Sequence, residues 1–266
     1  ILEVNEDELI FGNGSNEIIE FIAKGFIENG DTVISSQYAF LVYPLLTQVC
    51  NGQYVQVEAK DHAYDLDAIA AGITDKTKIV FLANPNNPTG TYFNRDAFNR
   101  FLSSIPSSVI VALDEAYVDF TDKDDFPDGL SYFRDHNVIV LRTFSKAYGL
   151  AGFRIGYAVA RKEIITYLNK IRQPFNVNAP AQCAANAVLD DAEYIEDTKR
   201  MVDEGKRFFY AELKRLGLDY IPSETNFILV DVKQNSKVFF KKCLSRGVII
   251  RDMKAYDLEN YIRITI

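Results

Sequence analysis

The feature of this 266-residue sequence that most constrains its fold is a series of short runs that are apolar at nearly every position. The clearest are Lys78–Ala83, Val109–Leu113 and Val138–Leu141, and Thr32–Ile34 and Tyr157–Ala160 are two further examples. A strand with one face in water alternates apolar and polar residues, whereas a continuous apolar run is typical of a strand buried on both faces. We therefore predict a mainly parallel sheet covered by helices.

Segments with helical spacing separate these runs. Ile18, Ile19, Ile22 and Phe26 form one apolar stripe, and a second lies around Phe98. Alternating strands and helices predict an α/β wound sheet, which we assign to a large domain of residues 1–192.

The last quarter of the chain has a different pattern. A long helix is expected over Glu193–Leu216, and Gly217 would end it. The elements predicted beyond it are strands at Asn226–Asp231, Gly247–Arg251 and Tyr261–Ile266 and a helix at Lys237–Arg246. We interpret residues 193–266 as a small α+β domain.

Composition excludes several classes of protein. With 29 Lys+Arg against 37 Asp+Glu the net charge is −8, which argues against a general binder of nucleic acid or anionic membranes. Three separated cysteines fit reduced thiols in a cytoplasmic protein. Only two histidines occur, without neighbouring ligands, so we expect no metal site. No apolar run reaches the roughly 18 residues that span a membrane.

Two loops carry features of an anion or ligand site. Gly12–Glu17 is a glycine-rich turn before a helix, where free N–H groups favour an anion. Taken alone, the segment is explained better by a turn with Ser15 or Asn16 as the N-cap. Asn84–Gly90 directly follows a predicted strand, and its two prolines would fix an asparagine amide in place. Ligands of wound sheets collect at such carboxyl ends.

Two further loops carry ionisable groups. Asp114 and Tyr117 follow the second long run, and a buried carboxylate there is costly without a partner, although a helix-capping Asp would look similar. Lys146 follows the third run among small and apolar residues, where desolvation would lower its pKa and free the amine as a nucleophile. Arg154 lies eight residues further on.

Together, NPNNPTG, DEAY and TFSKAYGLAGFRIG resemble the fold-type I, pyridoxal-phosphate (PLP)-dependent aminotransferases of the aspartate aminotransferase superfamily. The stretches GNGSNE, RQPFNVN and GVIIRDM…YIRITI make the chain most similar to the histidinol-phosphate aminotransferase family within it. The resemblance implies a mostly parallel seven-stranded sheet sandwiched by helices, plus a small C-terminal domain. It also implies a homodimer with shared active sites, an N-terminal arm before Ile1 and a helix after the last strand, so that both chain ends are expected to be incomplete.

The resemblance further implies a role for each residue. Lys146 holds the cofactor aldehyde and later moves a proton, and Asp114 keeps the pyridine nitrogen protonated. The expected remaining cofactor contacts are Asn87 and Tyr117 at the phenolic oxygen, Arg154, Thr143, Ser145, Ser15 and Asn16 at the phosphate, and Tyr38 stacked on the ring.

The implied reaction transfers the amino group of L-histidinol phosphate to 2-oxoglutarate, giving imidazole acetol phosphate and L-glutamate in histidine biosynthesis. Arg263 and Arg251 would bind the substrate phosphate. Three alternatives stay open: an aromatic amino-acid aminotransferase, a PLP decarboxylase of a phosphorylated amino acid, and a non-catalytic PLP-binding regulatory module.

Overall fold

The computed structural model describes residues 3–266, and two β-sheets organise them. The larger sheet has seven strands in the order β1-β7-β6-β5-β4-β2-β3. Its strands are β1 (Leu9–Gly12), β2 (Thr32–Ser36), β3 (Gln53–Val57), β4 (Thr77–Ala83), β5 (Ile110–Asp114), β6 (Val138–Thr143) and β7 (Gly156–Val159). Strands β2 to β6 are mutually parallel, and β7 is antiparallel to β6 and to β1. The prediction of a mostly parallel seven-stranded sheet is confirmed.

Five helices cover the two faces of this sheet, and they explain why its central strands contain continuous apolar runs. They are α1 (Ser15–Phe26), α2 (Val42–Val49), α3 (Leu66–Ala71), α4 (Arg95–Ser104) and α5 (Lys162–Ile171). In β4, Ile79 and Phe81 belong to the apolar cluster formed with α1, α2 and α5. Val80 and Leu82 belong to the opposite cluster with α3 and α4. Because successive side chains point to opposite faces, both faces must be apolar.

The smaller sheet follows two connecting helices and is antiparallel, with the strand order β10-β11-β9-β8. The elements of this part are α6 (Ala179–Leu189), α7 (Ala192–Arg215), β8 (Asp219–Ile221), β9 (Phe227–Asp231), α8 (Ser236–Leu244), β10 (Arg251–Asp252) and β11 (Tyr261–Thr265). The long helix predicted over Glu193–Leu216 corresponds to α7. The division into domains at residue 192 stays a prediction.

The strand predicted over Gly247–Arg251 is wrong for most of its length, because only Arg251 of that run pairs as part of a strand. Gly247 has a left-handed φ of 79°, and the N–H of Val248 donates to the carbonyl of Cys243 at 3.0 Å. These residues therefore form the turn that ends α8. Ile249 is largely exposed, which a buried strand would not allow.

The fold brings the motif loops to one edge. Strands β4, β5 and β6 are adjacent and parallel, so their carboxyl ends lie side by side. The loop beginning at Asn84, the Asp114–Tyr117 segment and the Thr143–Lys146 segment leave from these three ends. Ligand sites of wound sheets form at this edge.

Candidate active site

A cavity of about 330 Å³ lies at this edge, between the larger sheet and the smaller one. Every site residue predicted from the sequence lines it except Tyr38. Those lining residues are Ser15, Asn16, Asn87, Asp114, Tyr117, Thr143, Ser145, Lys146, Arg154, Arg251 and Arg263. The structure therefore brings together groups that lie up to 248 positions apart in the sequence, as Ser15 and Arg263 do.

Asp114, the last residue of β5, is a buried carboxylate with a donor at each oxygen. The hydroxyl of Tyr43 donates to Oδ2 at 3.0 Å, and the N–H of Ala116 donates to Oδ1 at 3.1 Å. Burial raises the pKa of Asp114, whereas the hydrogen bond from Tyr43, that from Ala116 and the charge of Lys146 oppose the shift. A positively charged ligand atom would stabilise the carboxylate further. Asp114 is not the cap of a helix.

Lys146 follows β6 and is half-buried at the cavity wall. Its Nζ lies 5.2 Å from the centroid of the Tyr117 ring. Burial lowers the pKa of Lys146, and the positive charges of Arg263 and Arg154 lower it further, whereas Asp114 acts in the opposite direction. The neutral amine, which is the nucleophilic form, is therefore more accessible than in an exposed lysine.

Tyr117 is a buried phenol at the same wall. Its ring packs edge-on against Phe227 of β9, with ring centroids 5.2 Å apart. Burial raises the pKa of Tyr117 to about 12. The hydroxyl therefore stays protonated at neutral pH and can donate a hydrogen bond into the cavity.

Asn87 and Arg263 meet across the cavity. The Nη1 of Arg263 donates to the Oδ1 of Asn87, and the guanidinium lies 4.6 Å above the Phe227 ring. Asn87 lies in a loop that has two cis X-Pro bonds, Asn84–Pro85 and Asn87–Pro88. Burial lowers the pKa of Arg263, and the neighbouring charge of Arg251 adds to the effect.

Arg251 is the cross-strand neighbour of Arg263. The two residues pair in the register of β10 and β11, and Arg251 is the more exposed of the two. Two guanidinium groups side by side at one wall suit a doubly charged anion better than a single carboxylate.

The beginning of α1 forms a cradle with Arg154. The N-cap is Gly14, with φ 78° and no side-chain capping bond. The alternative interpretation of the sequence, in which Ser15 or Asn16 caps the helix, is therefore wrong. The first N–H groups of a helix have no partner within it and favour an anion. Arg154 donates to the carbonyl of Asn13 at 3.4 Å, and a Cβ on Gly14 would overlap its guanidinium.

Thr143 and Ser145 complete this side of the cavity. The N–H of Ser145 donates to the Oγ1 of Thr143 at 3.1 Å, which fixes the turn between β6 and Lys146. Hydroxyls, backbone N–H groups and Arg154 thus line one end of the cavity, a donor set that fits a phosphate.

The prediction that Tyr38 lines the site is corrected by the structure. Tyr38 has a left-handed φ of 56°, and its ring stacks on His62 with centroids 5.6 Å apart. Phe40, two residues later, is the aromatic residue of this segment that lines the cavity. Tyr38 and Phe40 both follow β2, so the sequence indicates an aromatic residue beside the cavity. The left-handed backbone at Tyr38 determines that Phe40, and not Tyr38, lines it.

Three residues of the site were not identified from the sequence. Phe40 and Tyr256 line the cavity, and Tyr43 lies behind it with its hydroxyl on Asp114. Burial raises the pKa of Tyr256, while the charges of Arg263 and Arg251 oppose that shift. Tyr256 is in a short helical turn between β10 and β11, and a single tyrosine there carries no motif.

An ion pair joins the loops that carry Asp114 and Lys146. Arg142 lies just before Thr143, and its Nη2 is 2.7 Å from the Oε2 of Glu115. Glu115 also accepts the N–H of Gly129 at 2.8 Å. Burial raises the pKa of Glu115 to about 7, against the effect of Arg142. A buried pair of this kind holds the ends of β5 and β6 in a fixed relation.

Within residues 3–266, no group of three or more His, Cys, Asp or Glu side chains is arranged to hold a metal ion. The same residues contain no helix whose length and apolar character would let it cross a membrane.

The chain is similar to known proteins along its whole length. The family model described as aminotransferase class I and II matches residues 1–266. Histidinol-phosphate aminotransferase 2 of Carboxydothermus hydrogenoformans is 43% identical over 265 residues, which cover 99% of this chain and 73% of that protein. Histidinol-phosphate aminotransferase 2 of Hydrogenovibrio crunogenus is 45% identical over 267 residues, covering 100% and 72%.

A solved structure shares the fold. Histidinol-phosphate aminotransferase from Sinorhizobium meliloti, in complex with pyridoxal-5'-phosphate, superposes with a TM-score of 0.91 at 28% identity, over 97% of this chain and 72% of that one. A match along the entire chain, with relatives above 40% identity, establishes the family. The chain belongs to the class I and II aminotransferases.

Proposed function

We propose that this aminotransferase uses PLP to transfer the amino group of L-histidinol phosphate to 2-oxoglutarate, giving imidazole acetol phosphate and L-glutamate in histidine biosynthesis. The observation that carries the proposal is the convergence of Lys146, Asp114, Arg154 and the Arg251–Arg263 pair on one cavity. The names of the similar proteins support the same substrate. We expect the reaction to take place in the cytoplasm, in keeping with three unpaired cysteines.

The donor set of the cavity fits PLP group by group. Arg154 and the N–H groups at Ser15 and Asn16 would bind the phosphate, and Asp114 would hold the proton of the pyridine nitrogen. When bound, PLP supplies a ring that accepts the electrons released at the substrate Cα. Phe40 would pack against the face of that ring.

Lys146 is the residue we assign to covalent attachment and proton transfer. Its lowered pKa favours the neutral amine, which would bond with the PLP aldehyde in the resting enzyme. Once a substrate amine takes its place, the freed Nζ would move a proton between the substrate Cα and the cofactor C4′. Tyr117 and Asn87 would donate to the phenolic oxygen, since the Oδ1 of Asn87 is already engaged by Arg263.

The arginine pair supports a phosphorylated substrate. Arg251 and Arg263 are cross-strand neighbours at the wall formed by the smaller sheet. Histidinol phosphate presents a phosphate dianion to them, whereas phenylalanine presents a single carboxylate. The dicarboxylate 2-oxoglutarate would use the same pair in the second half of the reaction.

The test is a comparison of kcat/KM for histidinol phosphate and for phenylalanine with 2-oxoglutarate as acceptor. We expect histidinol phosphate to be preferred by roughly two orders of magnitude, because binding groups left without a partner penalise the poorer substrate. A preference for phenylalanine would indicate an aromatic aminotransferase. Release of carbon dioxide would indicate a decarboxylase, and PLP binding without turnover a regulatory module.

We also propose that two copies of the chain form a homodimer with shared active sites. Phe175 is 98% exposed, and Phe11 and Phe153 are 46% and 42% exposed. Asn176 donates to the carbonyl of Phe11, and Asn178 donates to that of Phe153, so the three aromatic residues belong to one surface. This surface adjoins Arg154, which supports an interface beside the proposed phosphate site.

A further inference from the structure

Tyr43 is a fully buried tyrosine behind the cavity whose environment fixes the position of its hydroxyl. Its ring stacks on Phe81 of β4, with centroids 4.6 Å apart and planes 5° from parallel. It packs edge-on against Phe40, with centroids 5.8 Å apart and planes at 89°. A ring held on two sides has little rotational freedom, so its hydroxyl is preorganised.

That hydroxyl donates to the Oδ2 of Asp114 at 3.0 Å, and the N–H of Ala116 donates to Oδ1. Each carboxylate oxygen can accept two hydrogen bonds, so each oxygen of Asp114 keeps one further acceptor position. Asp114 lines the cavity, where such a position is available to a ligand N–H. Burial and the charge of Asp114 raise the pKa of Tyr43 well above its ordinary value, so Tyr43 remains a neutral donor.

Of the groups that oppose the raised pKa of Asp114, the Tyr43 hydroxyl has the largest effect, followed by the Ala116 N–H and Lys146. Without such donors, burial shifts the pKa of a carboxylate upward and favours its protonated form. The tyrosine therefore stabilises the ionised, acceptor form of Asp114.

We infer that Tyr43 is a positioning residue, which orients Asp114 and keeps it anionic as the partner of the pyridine nitrogen of PLP. The inference rests on the proposed function, because it concerns the same cofactor site. It assigns a role to a side chain that touches neither cofactor nor substrate and acts only through Asp114. Phe40, which lines the cavity, directly precedes Leu41, the N-cap of the helix that carries Tyr43.

The experiment uses the variant Tyr43→Phe, which keeps the ring and removes the hydroxyl. Two quantities are measured on the full chain: the PLP dissociation constant, and the ¹⁵N chemical shift of the pyridine nitrogen of bound ¹⁵N-labelled PLP. Tyr54→Phe is the matched control, because Tyr54 also packs against the apolar cluster beside α1, α2 and α5 but does not contact Asp114. Tyr43→Met provides a second variant without a donor.

For Tyr43→Phe and Tyr43→Met we expect the PLP dissociation constant to rise by roughly 10- to 100-fold, the effect of losing one hydrogen bond to a charged group. In both variants the ¹⁵N chemical shift of the pyridine nitrogen moves towards the value of the unprotonated ring. Tyr54→Phe changes neither the dissociation constant nor the chemical shift. If Tyr43→Phe lowers the melting temperature but leaves both quantities at the wild-type values, the role of Tyr43 is structural and the inference is wrong. If the wild-type protein does not bind PLP, the proposed function is wrong as well. The wild-type titration tells this outcome apart from failure of the inference, which concerns only the variants.

Discussion

The guanidinium of Arg263, on the last strand of the smaller sheet, donates to the side-chain oxygen of Asn87, in the loop after β4 of the larger sheet. The contact links the two sheets across the cavity and determines which end of the amide is free. With Oδ1 occupied, Asn87 has only its N–H₂ group to offer a ligand. In the proposed function, Arg263 would thus both orient Asn87 towards the cofactor and offer a positive charge to the substrate.

Replacement of Arg263 by glutamine is expected to weaken binding of histidinol phosphate more than replacement of Arg251. Loss of a charge-assisted contact at this half-buried position should raise KM by roughly 10- to 100-fold. Arg251→Gln should have a smaller effect, because its guanidinium is more exposed to solvent screening. Steady-state kinetics of both variants give the comparison.

Arg246→Gln is the control for these kinetics. Arg246 is exposed just after α8, and its guanidinium donates to the backbone carbonyl of Lys242, away from the cavity. Equal values of KM in Arg263→Gln and Arg246→Gln would contradict a substrate contact at Arg263.

Gly14 provides a test of the phosphate cradle. With φ 78° and ψ 162°, it adopts a conformation open almost only to glycine, so Gly14→Ala should cost roughly 1–3 kcal/mol of unfolding free energy. The added Cβ would also displace the Arg154 guanidinium, and we expect weaker PLP binding. Thermal unfolding and a PLP titration measure the two effects.

Gly30→Ala separates these effects, because Gly30 has φ 90° but open space around its Cβ position. It should lose stability and keep the wild-type PLP affinity. The cradle would be excluded as a phosphate site if Gly14→Ala also kept that affinity.

The reaction of Lys146 with PLP should depend on pH in a defined direction. The charged amine is disfavoured by burial and by Arg263 and Arg154, so its pKa lies below that of an ordinary lysine. The rate at which cofactor-free protein captures PLP should therefore rise with pH and level off below the pH at which an exposed lysine does. Arg263→Gln removes a positive charge, which raises the pKa of Lys146 and moves the profile to higher pH.

Stopped-flow absorbance at a series of pH values measures this profile, with Arg251→Gln as the matched loss of a more distant charge. A shift to lower pH in Arg263→Gln would be incompatible with the charge argument.

Substitution of Phe175 by aspartate tests the homodimer. Phe175 is almost entirely exposed, so the change should leave the fold of the single chain intact. A charge at an apolar interface should shift the protein to monomers and reduce PLP affinity. Light scattering after size-exclusion chromatography gives the molar mass, and a wild-type protein that is already monomeric would contradict the proposal.

The fold and most of the site follow from local sequence signals. Residues 79–83 of β4 are all apolar, a pattern visible in the sequence, and the structure buries Phe81 and Leu82 on opposite faces of the sheet. The sequence predicts Asp114 because it directly follows one such run, and Lys146 because it follows another after residues 142–145. Strands next to one another in a parallel sheet place those ends together, whatever the distance along the chain.

Two predictions from the sequence, the cavity contact of Tyr38 and the strand beginning at Gly247, are wrong because a left-handed backbone angle at one residue changes the local structure. At Tyr38 a left-handed φ turns the ring towards His62, and nothing in the segment distinguishes it from Phe40. At Gly247 a left-handed φ ends α8 where β-branched residues indicated a strand. Tyr43 escaped notice because its role depends on a contact with Asp114, 71 residues away.

In the proposed function, Lys146 binds PLP and the bound cofactor accepts the amino group of histidinol phosphate. The most direct measurement is the visible absorbance of the PLP-loaded protein before and after histidinol phosphate is added without an oxo acid. We predict that the band of the lysine-bound cofactor is replaced by that of its amine form, and that Lys146→Ala lacks the original band although it is folded. A band that histidinol phosphate leaves unchanged, or a Lys146→Ala variant with the wild-type spectrum, would contradict the claim.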